Sequence, residues 1–336
     1  MNNNVSVLEN GQSRPTFRYY LKISRFVRNI GVSLIFSVLI INFFVAYLGI
    51  DFWSDIRAYE QNFRDVYYYY RALNLSFIQG FTSEVLWLYI VQYLMTFNIT
   101  VVQSLYILSV ISCTLIANFV FLSTKRVYSL LLLVNPIFID FVIGQVRSSL
   151  AISLVFTSFL VRSEVLRFII IVLSSAIHFG SALFGAMYYI YFFAKRFDVL
   201  KRLMEFKSFV IVVSGIIAIS TETWRTVILT ALGDRRATSL VDFQSSTLLA
   251  AGWLLFLGSY ALTGRDRQSS FVYFFFSTNA LLFFVSTFNG NYASRYIAVA
   301  FPMLCVLQSN QPLWGKWVFA AHMVAFTAIY FTFWIH

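Results

Sequence analysis

The chain has 336 residues, of which 59% are hydrophobic and 12% charged, with a net charge of +11 and a mean hydropathy of +0.75. Ordinary soluble domains carry about a quarter charged residues and somewhat under half apolar ones. A cytosolic enzyme, a disordered tail and a secreted disulfide scaffold are therefore excluded, and a polytopic membrane protein remains.

The first basic cluster, Arg14, Arg18, Lys22, Arg25 and Arg28, stands directly ahead of the first apolar run, 30–50. By the positive-inside rule it places segment 1–29 in the cytoplasm. A cleaved signal peptide would start nearer Met1 and end in small residues, which does not fit. Further apolar runs follow at 84–97, 99–122, 127–143, 148–161, 166–194, 208–223, 247–263, 270–288, 296–308 and 313–335. In lipid the backbone must satisfy its own hydrogen bonds, so these runs read as helices. The expectation is an all-α single membrane domain over 1–336 with about eleven transmembrane helices, some short or re-entrant, against the ~20 residues of a full span. The run 166–194 is long and carries His178 and Gly180 near its middle, so it is one tilted helix or two half-length ones.

Two arrangements give an odd number of crossings. If 84–97 crosses and 166–194 crosses once, Lys125, Arg126, Arg162 and Arg167 lie outside and Arg147 inside. If 84–97 is re-entrant or interfacial and 166–194 is a pair of half-helices, those four become cytoplasmic and Arg147 faces out. The second arrangement puts 17 basic and 5 acidic residues inside, against 8 basic and 9 acidic outside. It obeys the positive-inside rule far better. Its notable extracytoplasmic loops are 51–83, 224–246 and 289–295, whereas its cytoplasmic loops are short and basic. Chemistry is therefore expected on the outer face.

Arg147 stands between two apolar runs in Gly144-Gln145-Val146-Arg147-Ser148-Ser149. An arginine at membrane depth costs about 2.5–3.5 kcal/mol on insertion scales. It is either a snorkelling side chain at a helix end or a guanidinium fork for a phosphate. His178, among Ser174, Ser175, Gly180 and Ser181, either bonds a neighbouring helix or acts as a general base. Arg295, at the outer mouth of a helix, and Asp234, Arg235 and Arg236 in an outer loop would add charge on the same side. In the 51–83 loop, Asp55, Tyr59 and Phe63 recur every four residues and would share one face of a short helix. A carboxylate beside aromatic rings suits a sugar, and an interfacial helix suits the pattern equally. Tyr67 to Tyr70 read as headgroup-belt residues. Cys113 and Cys305 read as packing residues, and no metal-ligand spacing, nucleotide loop or protease motif occurs. An activated donor must then come from the membrane itself, and the basic residues, split into short clusters between apolar runs, do not suit a nucleic-acid partner.

These residues resemble the Wzy-type polysaccharide (O-antigen) polymerases, especially their EpsG-like branch. The resemblance rests on Asp55-x3-Tyr59-x3-Phe63, on Gln145-Val146-Arg147 running into Leu150-Ala151, on Ser175-Ala176-Ile177-His178-Phe179-Gly180-Ser181 and on Tyr292-x2-Arg295-Tyr296. The chain departs from the family pattern at Ser148 and Ser149, where a glutamine and a glycine are common. The resemblance implies a GT-C-like fold in the bacterial inner membrane with its active site facing the periplasm, and neither cofactor nor obligatory metal. It implies transfer of a growing glycan from undecaprenyl diphosphate to the non-reducing end of a new lipid-linked repeat unit, with a chain-length regulator as a further partner. Arg147 and Arg295 would then offset charge on the leaving diphosphate, with Arg235 and Arg236 in support. His178, or failing it Asp55, would take the acceptor proton, and Tyr59 would pack on sugar. A lipid-linked oligosaccharide flippase and a polytopic acyltransferase of surface sugars are the alternatives.

Overall fold

A computed structural model describes residues 15–49, 84–231, 247–263, 271–288, 294–309 and 311–335. Among these described residues the chain is all-helical, without strands. Helix α1 spans Pro15–Leu48, α2 Val85–Met95 and α3 Val101–Thr124. A 3-10 turn at Val127–Leu133 leads into α4, Pro136–Gly144, bent from it by 75°. Then come α5 Val146–Leu160, α6 Glu164–Ile177, α7 Ser181–Ala194, the short α8 Asp198–Leu203 and α9 Lys207–Ala231. The chain continues in α10 Thr247–Thr263, α11 Phe271–Phe288, α12 Ser294–Ser309 and α13 Leu313–Ile335.

Four of these helices are long and apolar enough to cross a membrane, or up to five if the bent pair is one span. Shorter apolar helices accompany them: α2, α5, α7 and the described parts of α12 and α13. Their outward faces carry large apolar side chains such as Leu39, Phe43, Val165, Phe193, Leu255 and Trp317, which water would not tolerate in such number. The molecule is therefore embedded in a membrane through its apolar helices.

Local chemistry explains most boundaries. Thr100 and Gln103 form a reciprocal capping box that starts α3. Asn135 caps α4 by accepting from the Ile137 amide, and Pro136 at the first helical position cannot continue the preceding turn. The apolar run 127–143 is thus two elements, not one. The run 166–194 is likewise broken, α6 ending at Ile177 and α7 beginning at Ser181. In the other direction, α9 runs on to Ala231, so residues 224–231 of the expected outer loop 224–246 are helical. Similarly, α1 begins at Pro15, inside the expected cytoplasmic segment 1–29.

Helices α3, α5, α11 and α12 form the centre, where Phe138, Phe156, Phe275, Phe283 and Phe301 are all but fully buried. One end of this bundle collects the basic residues. Arg126 donates to the Ser309 carbonyl at 3.1 Å, joining the ends of α3 and α12. Arg167 donates to the Ser158 and Val161 carbonyls at the end of α5 and lies 4.7 Å over the Tyr188 ring of α7. Phe271, the first residue of α11, packs on both Phe159 and Tyr188. Lys207 at the start of α9 lies 5.4 Å over the Tyr260 ring at the end of α10, and Tyr260 stacks on Tyr273 of α11. The first turns of α5 and α12 and the last turns of α6 and α11 therefore lie at the opposite end. The helical rise puts them roughly 20 Å away.

Candidate functional site

Two helix breaks and one helix start meet at that opposite end: the α4–α5 junction, the α6–α7 junction and the start of α2. Each supplies one side chain. Arg147 is the second residue of α5. Its Nη1 lies 2.7 Å from Oε2 of Glu84, the residue immediately before α2. The Nδ1 of His178, the residue that ends α6, lies 2.7 Å from Oε1 of the same carboxylate. The backbone N–H of Phe179 also donates to that oxygen, at 3.1 Å. Glu84 is 5% exposed, and the Arg147 and His178 side chains are 25% and 13% exposed. A carboxylate this deeply buried is tolerable only where charge and hydrogen bonds compensate it, and both are present here.

Serines hold the breaks in place. The Ser109 hydroxyl of α3 donates to the Val142 carbonyl at 3.1 Å, fixing the end of α4. The Ser174 hydroxyl donates to the Ala151 carbonyl at 2.8 Å and shares a 2.7 Å hydrogen bond with Ser181, tying α5, α6 and α7 together. Gly185 lets α6 and α7 approach closely, for a Cβ there would come 2.3 Å from Ile171 Cγ2. Gly180 faces His178 itself: a Cβ on it would stand 3.0 Å from Nε2.

The backbone of Glu84 is itself unusual, with φ +61° and ψ +37°. This left-handed conformation suits glycine and costs other residues about 1–2 kcal/mol. The chain keeps a glutamate there nonetheless.

A second buried carboxylate occurs at the same end. Glu222 of α9 accepts hydrogen bonds from the Ser286 hydroxyl of α11 and from the Tyr296 hydroxyl of α12, the latter at 3.1 Å. Arg295, beside Tyr296 in the first turn of α12, belongs to this end of the bundle. Beside α2, a groove of about 540 Å³ runs between α2 and α3, lined by Ile90, Tyr93, Leu94, Leu108 and Ile111 among others.

The structure therefore brings Arg147 and His178 together through Glu84 and puts Arg295 on the same end. Asp55, Tyr59, Asp234, Arg235 and Arg236 lie outside the described residues. Sequence reasoning missed both Glu84 and Glu222. Both stand at the edge of an apolar run, Glu84 as the first residue of 84–97 and Glu222 as the last but one of 208–223, where a charge is ordinary. Among the described residues no three His, Cys, Asp or Glu side chains gather where they could hold a metal ion. Cys113 and Cys305 are buried and free.

Fold and site together define a membrane-embedded helical protein with a buried glutamate–arginine–histidine constellation. Compared with protein-family models, curated proteins and solved structures, the chain matches none.

Proposed function

We propose that the chain is a lipid-diphosphate-dependent glycan polymerase of the Wzy type, in the EpsG-like branch. It transfers a growing polysaccharide from undecaprenyl diphosphate to the non-reducing end of a new lipid-linked repeat unit. The observation that carries this reading is the Glu84–Arg147–His178 constellation. It joins a cation for the leaving diphosphate and an imidazole for the acceptor hydroxyl on one buried carboxylate. Developing charge on the diphosphate needs preorganised donors in a place water does not screen, and a guanidinium presents a planar fork of donors that matches phosphate oxygens. Arg295 lies at the same end, as a second cation for that charge.

The division of charge supports an orientation. The end holding Arg126, Arg167 and Lys207 faces the cytoplasm by the positive-inside rule, and the Glu84–Arg147–His178 end faces the periplasm. In this arrangement α6 and α7 form a hairpin that enters from the cytoplasmic side and turns at His178. The fold is GT-C-like with about eleven membrane segments, in the bacterial inner membrane. The groove along α2, which begins directly after Glu84, takes the polyprenyl chain. A chain-length regulator is the expected protein partner, and Asp55, Tyr59, Asp234, Arg235 and Arg236 complete the sugar and diphosphate contacts.

The test is a gel profile of surface polysaccharide from cells lacking this gene, complemented with wild type, Arg147→Ala or His178→Ala at checked membrane levels. The expected result is single repeat units in the deletion and in both variants, with a full ladder restored by wild type. A persistent ladder would overturn the reading. Loss of even the single unit would point instead to translocation of the lipid-linked oligosaccharide.

A further inference from the structure

We infer that Glu84 is a positioning residue that fixes the tautomer of His178, so that Nε2 takes the proton from the acceptor hydroxyl, with Gly180 keeping clearance beside that nitrogen. This rests on the polymerase reading of the same site. Three observations carry it. Glu84 is held in a left-handed backbone conformation that glycine would adopt more cheaply, which argues that its carboxylate is required there. That carboxylate lies 2.7 Å from Nδ1 of the imidazole, off the line of a hydrogen bond, and its negative charge favours the proton on that nearer nitrogen of the neutral ring. The remaining nitrogen is then the base. Finally, residue 180 is a glycine, and a Cβ there would stand 3.0 Å from Nε2.

Arg147 makes the arrangement one-directional. Its permanent charge sits 2.7 Å from Oε2, and the other carboxylate oxygen faces His178 Nδ1 and accepts from the Phe179 N–H. In the reaction, the acceptor O–H proton passes to Nε2 while the acceptor oxygen forms the new bond to the anomeric carbon. The bond from that carbon to the diphosphate breaks, and its electron pair leaves on the diphosphate oxygen facing Arg147. The resulting imidazolium, protonated on both nitrogens, is stabilised by Glu84. This is the logic by which a buried carboxylate orients and supports a histidine base.

The test uses the full chain in lipid nanodiscs, with wild type, Glu84→Gln, Glu84→Asp and Gly180→Ala. The chain has three histidines, so ¹⁵N-histidine spectra assigned with His178→Gln report the tautomer directly. Wild type and Glu84→Asp should carry the proton on Nδ1. In Glu84→Gln, Arg147 claims the amide oxygen, the NH₂ turns to Nδ1, and the proton moves to Nε2. Turnover is measured with the undecaprenyl-diphosphate-linked oligosaccharide extracted from cells lacking this gene. For Glu84→Gln, kcat should fall by about 10²- to 10⁴-fold with little change in KM, and Glu84→Asp should recover part of it. Gly180→Ala should lower kcat while leaving the Nδ1 tautomer unchanged. An unchanged tautomer in Glu84→Gln, or equal losses in kcat for the Gln and Asp variants, would overturn the inference. An inactive wild type with the proton still on Nδ1 would overturn the polymerase reading and leave the positioning role standing.

Discussion

The two ends of the bundle both use arginine, and they do so in opposite ways. At the basic end, Arg167 spends its donors on the Ser158 and Val161 carbonyls and on exposed Glu164, and lays its face on Tyr188. Arg126 likewise bonds the Ser309 carbonyl and the Tyr128 hydroxyl. The Ser158, Val161 and Ser309 carbonyls lie at helix C-termini, so the arginines finish helices. At the other end, Arg147 pairs with a buried carboxylate that also faces a histidine, where α4 gives way to α5, α6 to α7, and α2 begins. An ion pair so desolvated adds little stability over apolar side chains of the same volume. The difference separates a fastening from the arrangement to which we assign the chemistry.

That contrast is broken most severely by removing one member of the buried pair. Arg147→Ala leaves Glu84 buried without its cation, which should cost about 3–5 kcal/mol of stability and abolish polymer. Thermal unfolding in detergent and the polysaccharide ladder check the two effects. The double variant Glu84→Leu, Arg147→Met should regain most of the stability and none of the ladder. Recovery of polymer in that apolar variant would show the pair to be structural after all.

A smaller effect is expected where α6 and α7 touch. Gly185→Ala forces a methyl against Ile171 and should destabilise by about 1–3 kcal/mol, as overpacked cores do. Ile171→Ala on that background should relieve part of the loss, measured as a double-mutant cycle. In the groove, Ile111→Trp should raise KM for the lipid-linked donor roughly tenfold, about 1.4 kcal/mol, with kcat near wild type. The smallest effects belong to the basic end. Arg126→Gln loses a partly exposed hydrogen bond, about 1 kcal/mol, and should leave chain length unchanged.

Much of this site was legible in the amino-acid sequence, and the reason it was only partly so is physical. Arg147 and His178 stand out because polar groups inside apolar runs are expensive wherever they fall. The break beside His178 is signalled by Gly180, and the bend before α4 by Asn135-Pro136 inside the apolar run 127–143. Glu84 carries no such local mark. It sits at a run's edge, where a charge is ordinary, and its amide partner Phe179 is 95 residues further along the chain. Glu222 was obscured in the same way, because Ser286 and Tyr296 reach it from two other helices. Pairing across the bundle leaves no periodicity in a single sequence.

The most direct measurement compares one conservative change at each end: polysaccharide chain length in cells carrying Arg147→Lys or Arg167→Lys at equal membrane level. Lysine keeps the charge and loses the fork, which matters for gripping a diphosphate beside Glu84 and little for finishing a helix. The account predicts single repeat units from Arg147→Lys and a full ladder from Arg167→Lys. Equal ladders from the two variants, or a ladder lost only from Arg167→Lys, would contradict it.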